Sequence, residues 1–142
     1  MDNIKKTELT AAAICRKYGD LSHSTDIIAL PAPFGVKFYD KNEILLFRSV
    51  SSHSLKRPYW EAFMIDHTLI KLRNRVTAEK IIKRLSQDSF FQISQSYIIN
   101  RAYLGGIRFK TNVCTLVEPF DKIELIISRD QLIKMREIFE IL

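Results

Sequence analysis

The sequence has few residues of the kinds that build metal sites, redox centres and phosphate-binding loops. Its 142 residues include four glycines, two cysteines and three histidines. The glycines do not form a P-loop or a dinucleotide-binding fingerprint, and Cys15 and Cys114 lie too far apart in sequence for a zinc or redox motif. His23, His53 and His67 also lack metal-ligand spacing. We therefore expect two free thiols, no metal site and no cofactor.

The chain also lacks an apolar stretch of the ~18 residues that a membrane-spanning helix requires. Its first residues, Met-Asp-Asn-Ile-Lys-Lys, do not lead into the apolar core of a signal peptide. Hydrophobic residues make up 46% of the chain and charged residues 27%, which is typical of a folded globular protein. These features predict a soluble cytoplasmic protein with one main domain and no membrane partner.

Positive charge is concentrated outside the N-terminal segment. The formal net charge is +6, and residues 1–26 carry four basic and four acidic residues, so the whole excess belongs to residues 27–142. Fixed positive charge attracts polyanions and speeds their encounter. Charge alone is consistent with a nucleic-acid-binding protein and equally with an ordinary basic protein.

Residues 1–26 are predicted to form a helical extension of the main domain. Thr7 can cap a short helix that runs to Tyr18, and Gly19 can end it. The apolar face of this helix is thin and centres on Leu9. Such a face favours packing against another surface or self-association.

From Ile27 onward the sequence changes to short apolar runs that are typical of β-strands. One helix interrupts them at about residues 77–86, where apolar residues recur at helical spacing. Pro31, Pro33 and Gly35 predict a hairpin turn between the first two strands. The predicted strands are 27–30, 36–39, 44–50, 60–65, 69–73, 91–93, 98–99, 107–109, 113–117 and 123–127.

A polar and basic loop, residues 49–58, separates two of the apolar strands. Its composition is consistent with an ordinary solvated loop and also with a binding loop.

A final helix is predicted after Ser128, which has capping-box spacing with Gln131. In that motif the serine oxygen accepts from an early helix amide, and the glutamine side chain returns to the serine amide. The apolar stripe of this helix consists of Leu132, Met135, Phe139 and Leu142.

Residues 91–104 read Phe-Gln-Ile-Ser-Gln-Ser-Tyr-Ile-Ile-Asn-Arg-Ala-Tyr-Leu, which resembles the signature of LytTR-type (LytR/AlgR-type) DNA-binding domains. The flanking features that follow the order of that family are Ile-Ala-Leu-Pro at 28–31, the segment 40–47, a helix ending Lys-Arg-Leu-Ser, and Ile-Ile-Ser-Arg at 126–129. The resemblance covers about residues 27–142.

The resemblance implies a mostly β fold of small antiparallel sheets, with one short internal helix and a C-terminal helix. It divides the chain into an N-terminal helical extension, residues 1–26, and a LytTR-like DNA-binding domain, residues 27–142. The resemblance also implies that the domain reads DNA with loops between strands and not with a recognition helix. A bacterial transcription regulator that reads double-stranded DNA through the major groove is therefore implied.

The resemblance also implies which residues contact DNA. The loop before Trp60 supplies His53, Ser54, Lys56 and Arg57, the signature supplies Gln95, and the corner before the last helix supplies Arg129. Supplementary phosphate contacts are expected from Ser94, Ser96, Lys110 and Asn112. Arg129 can donate two hydrogen bonds to guanine and Gln95 can pair with adenine, whereas Lys56 and Arg57 suit phosphates. Structural roles are expected for Tyr97, Ile99 and Asn100.

Two departures from the family pattern predict a changed base preference. Ser94 and Gln95 stand where the family usually has His-Arg, and residues 118–122 replace its usual Asp-Gly turn.

The sequence is consistent with two different functions. The first is a regulator that binds promoter repeats as a pair of chains. Since 26 residues cannot form a receiver domain, it either acts alone or is regulated through residues 1–26 or by a separate signalling partner. The second is an adapter of the same fold that regulates another factor without binding DNA. An enzyme is the weakest alternative because no nucleophile, base and orienting acid can be placed together.

Overall fold

The computed structural model describes residues 27–51, 57–85 and 88–139. The predicted helix at residues 7–18 and the predicted domain boundary at residue 26 concern a part of the chain outside these ranges, and both stay predictions. Within the ranges, no helix is long and apolar enough to cross a membrane.

The described residues form ten strands and two α-helices. The strands are β1 (Ile27–Ala32), β2 (Gly35–Asp40), β3 (Ile44–Val50), β4 (Tyr59–Met64), β5 (Leu69–Lys71), β6 (Phe90–Gln92), β7 (Tyr97–Asn100), β8 (Leu104–Arg108), β9 (Val113–Leu116) and β10 (Glu124–Ile126). The helices are α1 (Ala78–Leu85) and α2 (Arg129–Ile138), and two short 3-10 turns are η1 (Lys41–Glu43) and η2 (Arg101–Tyr103). Each predicted strand and helix in these ranges is present, with its ends within three residues of the predicted ones.

The strands form a hairpin and two small sheets in which neighbouring strands are antiparallel. A five-stranded sheet has the order β5-β4-β3-β7-β6, a three-stranded sheet has the order β10-β9-β8, and β1 pairs with β2. The predicted fold class, mostly β with small antiparallel sheets and two helices, is confirmed.

The five-stranded sheet is the middle layer, and its central strand β3 contributes to a core on each face. Side chains alternate across a strand, so Phe47 enters one core and Leu46 the other. The first core lies under the β1–β2 hairpin and α1, with Leu30 and Ile81 among its buried residues. The second lies under the three-stranded sheet and α2, where Met135 is fully buried.

The predicted helix faces are confirmed where they are described. In α1, Ile81 and Leu85 are buried and Ala78 and Ile82 pack beside them. In the stripe of α2, Met135 is buried and its neighbours on that face are half-buried.

The hairpin turn consists of Pro33 and Phe34, so the prediction that Pro31 belongs to the turn is wrong. Pro31 lies within β1 and faces Val36 of β2. A two-stranded hairpin tolerates proline because one edge of each strand has no ladder hydrogen bond to lose.

The only free cysteine of the described ranges is Cys114, which is fully buried in the second core. Burial raises the pKa of the Cys114 thiol from 9.0 to about 11, because the low-dielectric core disfavours the thiolate. The thiol is therefore protonated in the folded protein at neutral pH.

A pH-dependent loss of stability follows from this shift. Between pH 9.0 and about 11 the unfolded chain releases the Cys114 proton while the folded chain retains it. The free energy of unfolding should therefore fall as pH rises through this window, by up to about 2–3 kcal/mol. Urea titrations at several pH values, compared with Cys114→Ala, measure it, because the variant lacks this contribution. Identical pH dependence in the two proteins would contradict the assignment.

Candidate nucleic-acid interface

Loops gather at one end of the two sheets because of the strand directions. Strands β3, β6, β8 and β10 all end there, and β4, β7 and β9 all begin there. We call this region the loop end and define it as segments 49–58, 93–96, 109–112 and 127–129. Within the first segment the structure describes residues 49–51 and 57–58.

Backbone hydrogen bonds join the four segments of the loop end to one another. The Ser49 amide donates to Ser96 O at 2.8 Å, which joins the end of β3 to the turn before β7. The Ser128 amide donates to Ile93 O at 2.8 Å, and the Ile127 amide donates to Asn112 O at 2.8 Å. The tertiary structure therefore holds together loops that are far apart in sequence.

The turn at residues 93–96 is braced from within. Ser96 N donates to Ser94 Oγ at 3.2 Å, and Gln92 Nε2 donates to Ser94 O at 3.0 Å. Ser94 is half-buried, whereas Gln95 and Ser96 are exposed. The turn thus uses the Ser94 side chain to hold its own shape and presents Gln95 to solvent.

The corner that carries Arg129 is anchored on both sides. Ser128 caps α2, and its Oγ accepts from the Gln131 amide at 3.4 Å. The predicted return bond from the Gln131 side chain to the Ser128 amide is wrong, because that amide donates to Ile93 O instead. The bond from the Ser128 amide to Ile93 O holds the corner against the turn that carries Gln95. Arg129 is exposed at the first position of the helix.

The turn at residues 109–112 is the third part of the loop end. Asn112 has a φ of 55°, a left-handed conformation that asparagine adopts more readily than most residues. The Arg136 guanidinium lies 4.3 Å from the centroid of the Phe109 ring and holds the turn against α2. Lys110 is exposed at its tip.

The loop at residues 49–58 is only partly described. Arg57 is exposed at its C-terminal side, next to the start of β4. Predicted contacts His53, Ser54 and Lys56 lie outside the described residues.

Charge is divided unequally between the two ends of the molecule. The four segments of the loop end carry Lys56, Arg57, Lys110 and Arg129, and their sequences contain no Asp or Glu. At the opposite end, the connecting segments that the structure describes carry Glu43, Asp66, Asp88, Glu118 and Asp121 against Lys41, Arg101 and Lys122. A side-chain hydrogen bond from Thr68 lowers the pKa of Asp66, so this carboxylate stays charged. The loop end is therefore the electropositive end.

A row of charged and aromatic residues next to the loop end was not predicted from the sequence. Arg48 Nε donates to Glu61 Oε1 at 2.8 Å, and Glu61 faces Lys71 across the β4–β5 pair. Lys71 Nζ lies 4.5 Å from the centroid of the Tyr59 ring. Only the strand register brings these side chains together, so no local sequence motif could have identified them.

The chain resembles known DNA-binding domains both in sequence pattern and in fold. A solved LytTr DNA-binding domain from Bacillus cereus superimposes with a TM-score of 0.61 and 12% sequence identity, covering 83% of this chain and 100% of that chain. No curated protein matches the chain. At this identity the structural likeness shows a shared fold.

The family comparison is more direct. Residues 37–140 match the family model of the LytTr DNA-binding domain. This match covers most of the chain and includes the signature segment, the turn with Gln95 and the corner with Arg129. The chain therefore belongs to the LytTR family, which comprises DNA-binding domains of transcription regulators and is not a class of enzymes.

Proposed function

We propose that this protein is a transcription regulator that recognises specific sequences of double-stranded DNA by inserting its loop end into the major groove. One observation carries the proposal: exposed Gln95 and Arg129 lie on neighbouring, hydrogen-bonded segments of the electropositive end. Anchored loops lose little conformational entropy on binding, which favours precise contacts with base edges.

Base discrimination is assigned to Arg129 and Gln95. A guanidinium can donate two hydrogen bonds to O6 and N7 of guanine, and a glutamine amide can pair with N6 and N7 of adenine. Each such pair discriminates against a wrong base by about 1–3 kcal/mol. Because Arg129 sits at the start of a capped helix, its backbone is already fixed before DNA arrives.

Phosphate contacts are assigned to the basic residues around this pair. Lys56, Arg57 and Lys110 supply charge, and the polar side chains His53, Ser54, Ser94, Ser96 and Asn112 are proposed as supplementary donors. Lys71 is exposed beside Tyr59 at the same end and extends the proposed contact surface. These contacts position the protein and carry little sequence information.

We also propose that a pair of chains binds repeated half-sites, since a single loop end covers only a short stretch of DNA. Such a pair either acts alone or is regulated through residues 1–26 or by a separate signalling partner.

A salt titration tests whether the loop end neutralises phosphates. Five phosphate contacts predict that log affinity falls against log salt concentration with a slope of about −4 to −5. Lys110→Gln should weaken binding to all sequences similarly and make the slope shallower by about 1, because one contact is lost. Fluorescence anisotropy on labelled duplexes measures both quantities.

The matched control is Lys122→Gln, an exposed lysine at the opposite end of the molecule. It should leave the slope unchanged. An equal reduction in both variants would indicate that net charge alone attracts DNA. No measurable affinity for any duplex would favour the adapter over the DNA-binding regulator.

A further inference from the structure

A groove lies between the β1–β2 hairpin and α1, on the face of the five-stranded sheet that is remote from α2. Its volume is about 460 Å³, within the range of small-molecule pockets, about 300–1,000 Å³. It is lined by Ala29, Leu30, Pro31, Phe47, Leu72, Val76, Lys80, Ile81, Lys83, Arg84 and Leu85.

The inner part of the groove is apolar. Phe47 comes from the central strand and is fully buried, and Leu72 and Leu85 are buried beside it. Ala29 and Pro31 form the hairpin side. An apolar group that entered this space would contact hydrocarbon and exclude water, which is the main source of affinity in such pockets.

The rim of the groove is cationic. All three charged lining residues, Lys80, Lys83 and Arg84, are basic, and no acidic residue of the described ranges lines it. Lys80 Nζ lies 3.5 Å from Arg75 O, whereas Lys83 and Arg84 are exposed in the last turn of α1. Lys83 and Arg84 are therefore placed to receive an anion at the mouth.

We propose that this groove is a binding site for an amphipathic carboxylate, whose hydrocarbon body enters the apolar part while its carboxylate pairs with Lys83 and Arg84. No residue of the loop end lines this groove, so the site does not depend on the proposed function in DNA recognition. The apolar inner part of the groove matches the hydrocarbon body of such a ligand, and the purely cationic rim matches its carboxylate.

The volume is sufficient for a small molecule. The charges on the rim select among small molecules, because three basic side chains and no acidic side chain of the described lining attract an anion.

Calorimetric titration of the full chain with dodecanoate, below its micelle concentration, tests the proposal. We expect saturable binding of one dodecanoate per chain and at least tenfold weaker binding of dodecyltrimethylammonium, which has the same tail and the opposite charge. The double variant Lys83→Gln, Arg84→Gln should weaken dodecanoate binding about tenfold or more, because charge-assisted contacts are lost. The matched control, Lys122→Gln with Lys134→Gln, removes two lysines elsewhere and should bind as the parent does.

A second variant tests the apolar part. Val76→Trp places a large ring in the groove and should abolish measurable binding, with circular dichroism confirming the fold. Absence of binding by the parent chain, equal affinity for the two amphiphiles, or binding that survives Val76→Trp would each overturn the proposal. So would binding that appears only after Leu9→Asp, because that result would assign the groove to residues 1–26.

Discussion

Replacing Arg129 by alanine is expected to lower affinity for the preferred DNA sites by about 10- to 100-fold, while affinity for random DNA falls only a few-fold. The difference arises because a bidentate contact with guanine contributes about 1–3 kcal/mol of discrimination, whereas a phosphate contact is indifferent to sequence. The ratio of the two affinities therefore reports the role of Arg129 more directly than either affinity does.

The measurement begins with selection of bound duplexes from a random pool by the parent protein. Affinities of the parent and Arg129→Ala are then compared on selected and random duplexes at one salt concentration. Arg129→Lys keeps the charge but cannot form two parallel hydrogen bonds, so it should restore affinity for random DNA without restoring specificity. Gln95→Ala should relax the preference at a different base position.

Lys122→Ala serves as the control for lost positive charge, because Lys122 is exposed at the opposite end. An Arg129→Ala protein that loses affinity equally for selected and random duplexes would show that Arg129 contacts phosphate only. An unchanged affinity on both would remove Arg129 from the interface.

Replacing Asn100 by alanine is expected to lower the free energy of unfolding by about 3 kcal/mol. The side chain of Asn100 is 3% exposed, and its amide nitrogen donates to Ile44 O at 2.8 Å and to Lys41 O at 3.2 Å. Its Oδ1 accepts from the Ala102 amide at 3.0 Å and caps η2. Alanine would leave these backbone groups without that partner, at a cost of about 1–3 kcal/mol for each buried one.

Urea denaturation of the parent and the variant measures this loss. Asn74→Ala is a suitable control because Asn74 is exposed in the connection before α1, and it should change stability by less than about 0.5 kcal/mol. Asn100→Asp keeps the side-chain oxygen that caps η2 and removes the two hydrogen bonds that the amide nitrogen donates. The variant therefore separates the contribution of the η2 cap to the free energy of unfolding from the contribution of the hydrogen bond to β3. A loss below about 1 kcal/mol for Asn100→Ala would contradict the assigned role.

The secondary structure was largely predictable because apolar periodicity reflects burial on one face. Ile81 and Leu85 recur at helical spacing and are the buried residues of α1. Strand ends were less predictable, since they depend on pairing. Strand β8 begins at Leu104, three residues before the predicted start, because Gly106 pairs with Thr115 and Leu104 with Leu116 across a bulge. The backbone of Leu116 lies so close that a Cβ on Gly105 would come within 2.7 Å of it.

The sequence predicted a set of candidate site residues, but it did not predict how they are arranged. Gln95 and Arg129 were identified through the resemblance of the signature and of the Ile-Ile-Ser-Arg segment to a family. The bond from the Ser128 amide to Ile93 O joins their segments across more than thirty residues of sequence. Capping-box spacing predicted a different partner for that amide, because local spacing contains no information about a neighbouring loop.

The sequence by itself determined the mostly β class, the two helices of the domain, the excess of positive charge and the candidates for reading bases, because these depend on residue type and local spacing. The tertiary structure alone decided which loops meet. Strand direction brings four segments without acidic residues to one end and sends most acidic connections to the other. Long-range pairing also places β1 and α1 around an apolar groove with a basic rim. Both results depend on contacts between residues distant in sequence, whose free energy no local pattern records.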